Sequence, residues 1–112
     1  MIAKKPSIYI YVNHPNPSVL HEICAGIEEE GVFYEITEMT SQELDHLVWT
    51  AAEDSVLGTG IGIRDNSAGF SIRGLKEGKM VAYYAYPTKE ESRLLGSNSA
   101  RAIKKQSFKD VL

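Results

Sequence analysis

Apolar residues recur along this chain with two different periods, and the places where the period changes mark its elements. Ile8-Tyr9-Ile10-Tyr11-Val12 is β-branched and aromatic, bounded by Pro6 and by the stiff segment Asn13-His14-Pro15-Asn16-Pro17. This is the pattern of a strand that empties into a rigid loop. Leu20, Ile23, Cys24 and Ile27 then repeat at helical spacing. Asn16 can cap that helix, Pro17 suits its first turn, and Gly31 is placed for a left-handed stop. Val32 to Ile36 predicts a second strand. Leu44, Leu47, Val48, Ala51 and Ala52 predict a second helix reaching about Ser55, with Thr40 and Glu43 offering a capping box. Val56 to Ile63 is a glycine-punctuated strand, Arg64-Asp65-Asn66-Ser67 has turn composition, and Gly69-Phe70-Ser71-Ile72 is the returning arm. Gly74 to Gly78 forms a loop, and Met80 to Tyr86 is the last strong strand. Thr88 and Glu91 then form a capping box for a final helix running to about Lys105.

Two strand-helix units in succession predict an α/β fold with a single open, mostly parallel sheet flanked by helices, its crossovers right-handed, modified by the hairpin after Arg64. With 112 residues the chain forms one domain over residues 1–112. Ligands of open sheets gather at the carboxyl edge, which places the loop Asn13 to Pro17 on a plausible contact surface. The same composition also serves simply as a stiff turn.

Charge and candidate chemistry mostly exclude functions. Twelve basic and fifteen acidic residues leave a net charge of -3, and the basic ones are scattered apart from Lys4-Lys5 and Lys104-Lys105. Such a surface offers no footprint for nucleic acid. Cys24 is the only cysteine and falls on an apolar stripe, so it reads as a small buried hydrophobe in a chain suited to a reducing cytoplasm. No segment approaches transmembrane length, and no membrane partner is expected. Gly58, Gly60 and Gly62 spell a GxGxG string, but they lead into an arginine turn and another strand rather than a helix. A phosphate loop needs helix N–H groups facing the phosphate, so close backbone packing is the better reading. His14, His21 and His46 lie far apart without a second cysteine, which argues against a metal site held by this chain alone. His46 near Glu43 has the chemistry of a general base, although a surface histidine is the commoner case. No serine has a nucleophile-elbow context, and no catalytic constellation assembles.

The feature left over is Gly26-Ile27-Glu28-Glu29-Glu30-Gly31, with its carboxylates in the last turn of the first helix. That end carries partial negative charge, and each exposed carboxylate there costs roughly 0.3 to 1 kcal/mol. At about 100° per residue, Glu28 and Glu30 flank the apolar stripe and Glu29 points away from it. On these residues alone a solvated acidic turn is the simpler reading. One carboxylate cannot hold a metal, but it can complete a cation site supplied by another chain. In the final helix, Gly96 and Ala100 would let another element approach closely, while Gly96 also marks a possible break.

Three blocks, GIEEEG at Gly26 to Gly31, GIGIRDNSAGFSI at Gly60 to Ile72 and GSNSARAIKKQSF at Gly96 to Phe108, occur here in the order and rough spacing of a known family. The chain resembles the small subunit of the diol or glycerol dehydratase reactivating factor, a family related to the medium subunit of the coenzyme B12-dependent dehydratase. The tail departs from that family's GNNAARxxKxxxF pattern at Ser97 and Ser99. The resemblance implies a non-catalytic, chaperone-like accessory subunit with a fold like that of the medium subunit and no cofactor of its own. It implies a large actin-like ATPase partner that holds ATP, in an α2β2 factor, and transient contact with the dehydratase large subunit while damaged cobalamin is exchanged. It places the protein in the cytoplasm, in association with a bacterial microcompartment. It further implies that Glu29 reaches a Mg or Ca ion shared with the large subunit, with Glu28, Glu29 and Glu30 at the partner interface. The alternative from the enzyme class is a dehydratase medium subunit or a fragment of one. Against it, the first strand begins almost at once, without the N-terminal extension usual in such subunits. A free-standing ligand-binding domain using the loop Asn13 to Pro17 is the third reading.

Overall fold

The computed structural model describes residues 5–40, 43–105 and 109. Its elements run β1 (Ile8–Asn13), α1 (Pro17–Glu29), β2 (Tyr34–Glu38), α2 (Leu44–Asp54), β3 (Thr59–Arg64), β4 (Ser67–Ile72), β5 (Ala82–Tyr84) and α3 (Lys89–Lys104). They build one five-stranded sheet in the order β2-β1-β3-β4-β5. β1 pairs in parallel with β2 and with β3, whereas β4 and β5 are added antiparallel. The parallel sheet expected from the two strand-helix units is thus its β2-β1-β3 half. The turn at Arg64 to Ser67 reverses the chain and makes the other half antiparallel.

Alternation along β1 sorts the two faces. Ile8, Ile10 and Val12 join Val19, Ile23 and Ile27 of α1 and Leu95 and Ala100 of α3 in the larger buried cluster. Tyr9 and Tyr11 point to the other face, where Leu47 and Ala51 of α2 cover them. The glycine string serves this second face: a Cβ on Gly60 would stand 2.0 Å from the Ala52 nitrogen, and one on Gly62 would stand 2.6 Å from a Val48 methyl. α2 therefore rides directly on the β3 backbone, the packing reading of those glycines. Among the described residues no helix is long and apolar enough to cross a membrane.

Several boundaries differ from the sequence pattern: β2 runs Tyr34–Glu38 rather than from Val32 to Ile36, and β3 begins at Thr59 rather than Val56. α2 begins one turn later than Thr40 implies: its N-cap is Glu43, with no side-chain cap bond, so the Thr40–Glu43 capping box is not made. Only Ala82–Tyr84 of the run Met80 to Tyr86 forms the strand, with Val81 N adding one hydrogen bond to the Phe70 carbonyl at 2.9 Å. Gly96 does not break α3; the helix passes through it and uses its missing side chain for packing. Lys4, Gln106, Ser107 and Phe108 lie outside the described residues, and so does the end of the third resemblance block.

Candidate partner and cation site

α1 starts and stops as its sequence directs. The Asn16 side chain accepts hydrogen bonds from the backbone N–H groups of Ser18 and Val19 at 2.9 and 3.3 Å. Gly31 takes the left-handed conformation at φ 74°, which a side chain would oppose. No basic residue occupies the last turn, so the glutamates do meet the negative end of the helix dipole.

The compensating cations come from α3. α1 and α3 run in the same sense along one face of the sheet and cross at Gly26 and Gly96. A Cβ on Gly26 would stand 2.1 Å from the Arg93 carbonyl oxygen, and one on Gly96 would stand 2.0 Å from that of Ile23. The Ser97 hydroxyl donates to the Gly26 carbonyl at 3.3 Å. This contact brings two basic groups of α3 against the acidic end of α1. Arg101 Nη1 donates to both carboxylate oxygens of Glu30 at 3.1 Å, and Lys104 Nζ donates to Glu30 Oε1 at 3.0 Å. Lys104 also reaches the Glu30 carbonyl oxygen at 2.8 Å, satisfying one of the acceptors left free where α1 ends. Lys109 adds a third cationic group at 3.3 Å, its backbone held by the Asn98 side chain. Two turns earlier on α3, Arg93 donates Nε to Glu22 Oε1 at 3.1 Å and Nη1 to Glu29 Oε1 at 3.4 Å.

The three glutamates consequently differ. Glu28 accepts the Tyr34 hydroxyl at 2.8 Å, and that bond together with burial pushes the phenol above its ordinary value. Glu30 is largely covered, its side chain 7% exposed. Burial opposes its ionisation, but the hydrogen bonds from Lys104 and Lys109 and the charge of Arg101 outweigh it and hold the carboxyl below its usual range. Glu29 is 46% exposed, and its contact to Arg93 is a long one. It borders an open groove of about 330 Å³ between α1 and α3, with Glu22, Arg93, Leu94 and Ser97 among its walls. Among the described residues no group of three or more His, Cys, Asp or Glu is placed to hold a metal ion. Glu29 therefore fits a cation only as one oxygen donor to an ion whose other ligands come from elsewhere.

Other residues singled out by sequence have structural partners. The Asn13–Pro17 loop is tied to the β3–β4 turn by Asn16 N to Asp65 O at 2.8 Å, Asp65 N to Asn13 O at 3.2 Å and Asn16 Nδ2 to Asn66 Oδ1 at 2.9 Å. Beside that turn, at the carboxyl edge of β3, Arg64, Tyr83 and Tyr86 line an open cavity of about 420 Å³. The His46 imidazole lies 3.2 Å from the Glu77 carboxylate, whereas the Glu43 carboxylate is 3.8 Å from Arg64. Cys24 is buried on the core side of α1, where burial raises its thiol. Sequence reasoning missed Glu22, Arg93 and Arg101, though a spacing signal existed. Glu22 and Glu30 are eight residues apart, as are Arg93 and Arg101, so two helices packed in the same sense match acid to base twice.

Comparison with known proteins agrees with this architecture. Residues 5–109 match the model of a family described as dehydratase medium subunit. The chain is 29% identical over 106 residues to the propanediol dehydratase-reactivating factor small subunit of Citrobacter freundii, covering 94% of this chain and 91% of that one. The corresponding small subunit of Salmonella typhimurium strain LT2 is 28% identical, with 95% and 92% covered. Among solved structures, a diol dehydratase-reactivating factor complexed with ADP and Mg2+ superimposes with a TM-score of 0.89 at 26% identity, covering 96% of this chain and 100% of the other. A glycerol dehydratase reactivase matches in fold, with a TM-score of 0.88 at 20% identity over 95% of this chain and 98% of that one. The three resemblance blocks, the mixed sheet and the full-length matches agree: the chain belongs to the dehydratase medium subunit family, in which its matched relatives are small subunits of reactivating factors.

Proposed function

We propose that this protein is the non-catalytic small subunit of an ATP-dependent dehydratase-reactivating factor. It docks on a large actin-like ATPase subunit, and the assembled α2β2 factor removes damaged cobalamin from inactivated diol or glycerol dehydratase by exchanging subunits with the enzyme. ATP is bound and hydrolysed in the large subunit. The observation that carries this reading is full-length similarity to reactivating-factor small subunits, which spans at least nine-tenths of both chains.

The corner formed by Glu28, Glu29 and Glu30 is the partner interface. Glu30 is committed to α3, and Glu28 to Tyr34. Glu29, half exposed at the groove between α1 and α3, supplies one oxygen to a Mg or Ca ion whose remaining ligands belong to the large subunit. Such an ion would offset the acidic charge that Arg93 only partly neutralises at this helix end.

The test is co-expression with a reactivating-factor large subunit and its dehydratase. A stable complex and ATP-dependent recovery of inactivated enzyme are expected, and failure to co-purify with any large subunit would overturn the assignment. The family's description keeps a second reading, a medium subunit of a coenzyme B12-dependent dehydratase. Adenosylcobalamin binding by this chain together with a dehydratase large subunit would favour it.

A further inference from the structure

Glu29 does not stand free while it waits for a partner. It shares one guanidinium with Glu22, and the sharing is unequal. Arg93 turns Nε and Nη2 to a single oxygen of Glu22 at 3.1 and 3.0 Å, but reaches Glu29 with Nη1 alone at 3.4 Å. Glu22 is the better covered of the two carboxylates, at 16% exposed against 46% for Glu29. Glu22 and Glu29 are seven residues apart on α1, two turns along the same side, so one planar fork from α3 spans both. The main chain of Arg93 is fixed as well, because its carbonyl oxygen lies where a Gly26 side chain would be.

From this geometry we infer that Arg93 is a positioning residue for the cation site: anchored by Glu22, it holds the Glu29 carboxylate loosely in the unpartnered chain and yields it to a divalent ion without moving itself. The inference rests on the proposed role of Glu29 and adds to it a residue pair that sets how readily Glu29 is released. A guanidinium carries one charge and here makes one long contact, whereas a divalent ion with further ligands from another subunit carries two. Glu29 therefore transfers only when those further ligands are present. Glu22 keeps the transfer easy, because without it the whole fork would fall on Glu29.

The two members of the pair thus affect the site in opposite directions. The experiment titrates MgCl2 into a mixture of purified chain and large subunit and reads the concentration giving half-maximal assembly, by calorimetry or sedimentation. Arg93→Met should lower that concentration by about two- to fivefold, the range expected for an exposed ion pair. Glu22→Gln should raise it to a similar extent, and Glu29→Gln should abolish the magnesium dependence. General destabilisation would shift Arg93→Met and Glu22→Gln the same way; that result, or no shift with Arg93→Met, overturns the inference while leaving the role of Glu29 intact. Retention of full magnesium dependence by Glu29→Gln, or its absence from the unaltered chain, overturns the role itself. Arg93→Lys keeps the charge without the fork and should fall between the unaltered chain and Arg93→Met, which guards against a methionine variant that folds poorly.

Discussion

Glu30 is the residue whose surroundings change most between sequence and structure. Helical geometry places it beside the apolar stripe, but no periodicity within α1 reveals that Arg101 and Lys104, some 70 residues later, will cover it. The sequence exposes the wrong-signed charge; the cure lies in tertiary structure. Its carboxyl is held below the ordinary range in the folded protein, so the stability it contributes is present above the unfolded carboxyl's range and is lost as pH falls through the depressed folded value. Glu30→Gln should cost about 1 kcal/mol at neutral pH once solvent screening of the lysines is allowed for. It should also flatten the decline in stability between roughly pH 5 and pH 3. Urea unfolding of both proteins across that range checks each part, and equal slopes would exclude the network as the source of acid sensitivity.

Elements were legible where local chemistry decides them and less so where packing does. Asn16, Pro17 and Gly31 bound α1 as expected, and the Thr88–Glu91 capping box is complete, with both hydrogen bonds formed. Thr88→Ala should therefore cost about 1 kcal/mol, read as a lowered midpoint in thermal unfolding. Thr40, with equally good motif chemistry, caps nothing. At Gly96 the local rule points the wrong way. Alanine is the better helix former by about 1 kcal/mol, yet its Cβ would collide with the Ile23 carbonyl. Gly96→Ala and Gly26→Ala should each destabilise by roughly 1–3 kcal/mol net, since main chain cannot yield as a side chain can. If either variant melts at or above the parent temperature, the two helices do not cross as closely as described. Of the two readings Gly96 offers, close approach and a break, the structure shows the first, a seam visible only once α1 lies against it.

At the scale of the whole molecule, the sheet separates two surfaces. The glutamate corner lies at the amino edge of the parallel strands, where α1 and α3 end together, and the cavity lined by Arg64, Tyr83 and Tyr86 lies at the carboxyl edge. If the large subunit docks at the amino edge, Arg64→Ala and Tyr86→Ser should leave its affinity within about twofold, whereas Arg101→Ala should weaken it by disturbing the corner. Pull-down titrations with the large subunit separate these outcomes. The α/β class, the order of elements and the chain-wide resemblance were legible in the sequence, because each rests on local pattern. The groove beside Glu29 was not, because two helices far apart in sequence form it.

That separation also bears on synthesis. The bonds that finish the acidic corner join residues 71 to 74 positions apart, with the first element of each pair near the start of the chain and the second in the last helix. A ribosome-bound chain can form β1, α1 and β2 early, but its glutamate corner remains unmatched until α3 has emerged. If a partner recognises the finished corner as proposed, it would engage chains in which α3 is complete in preference to truncated ones.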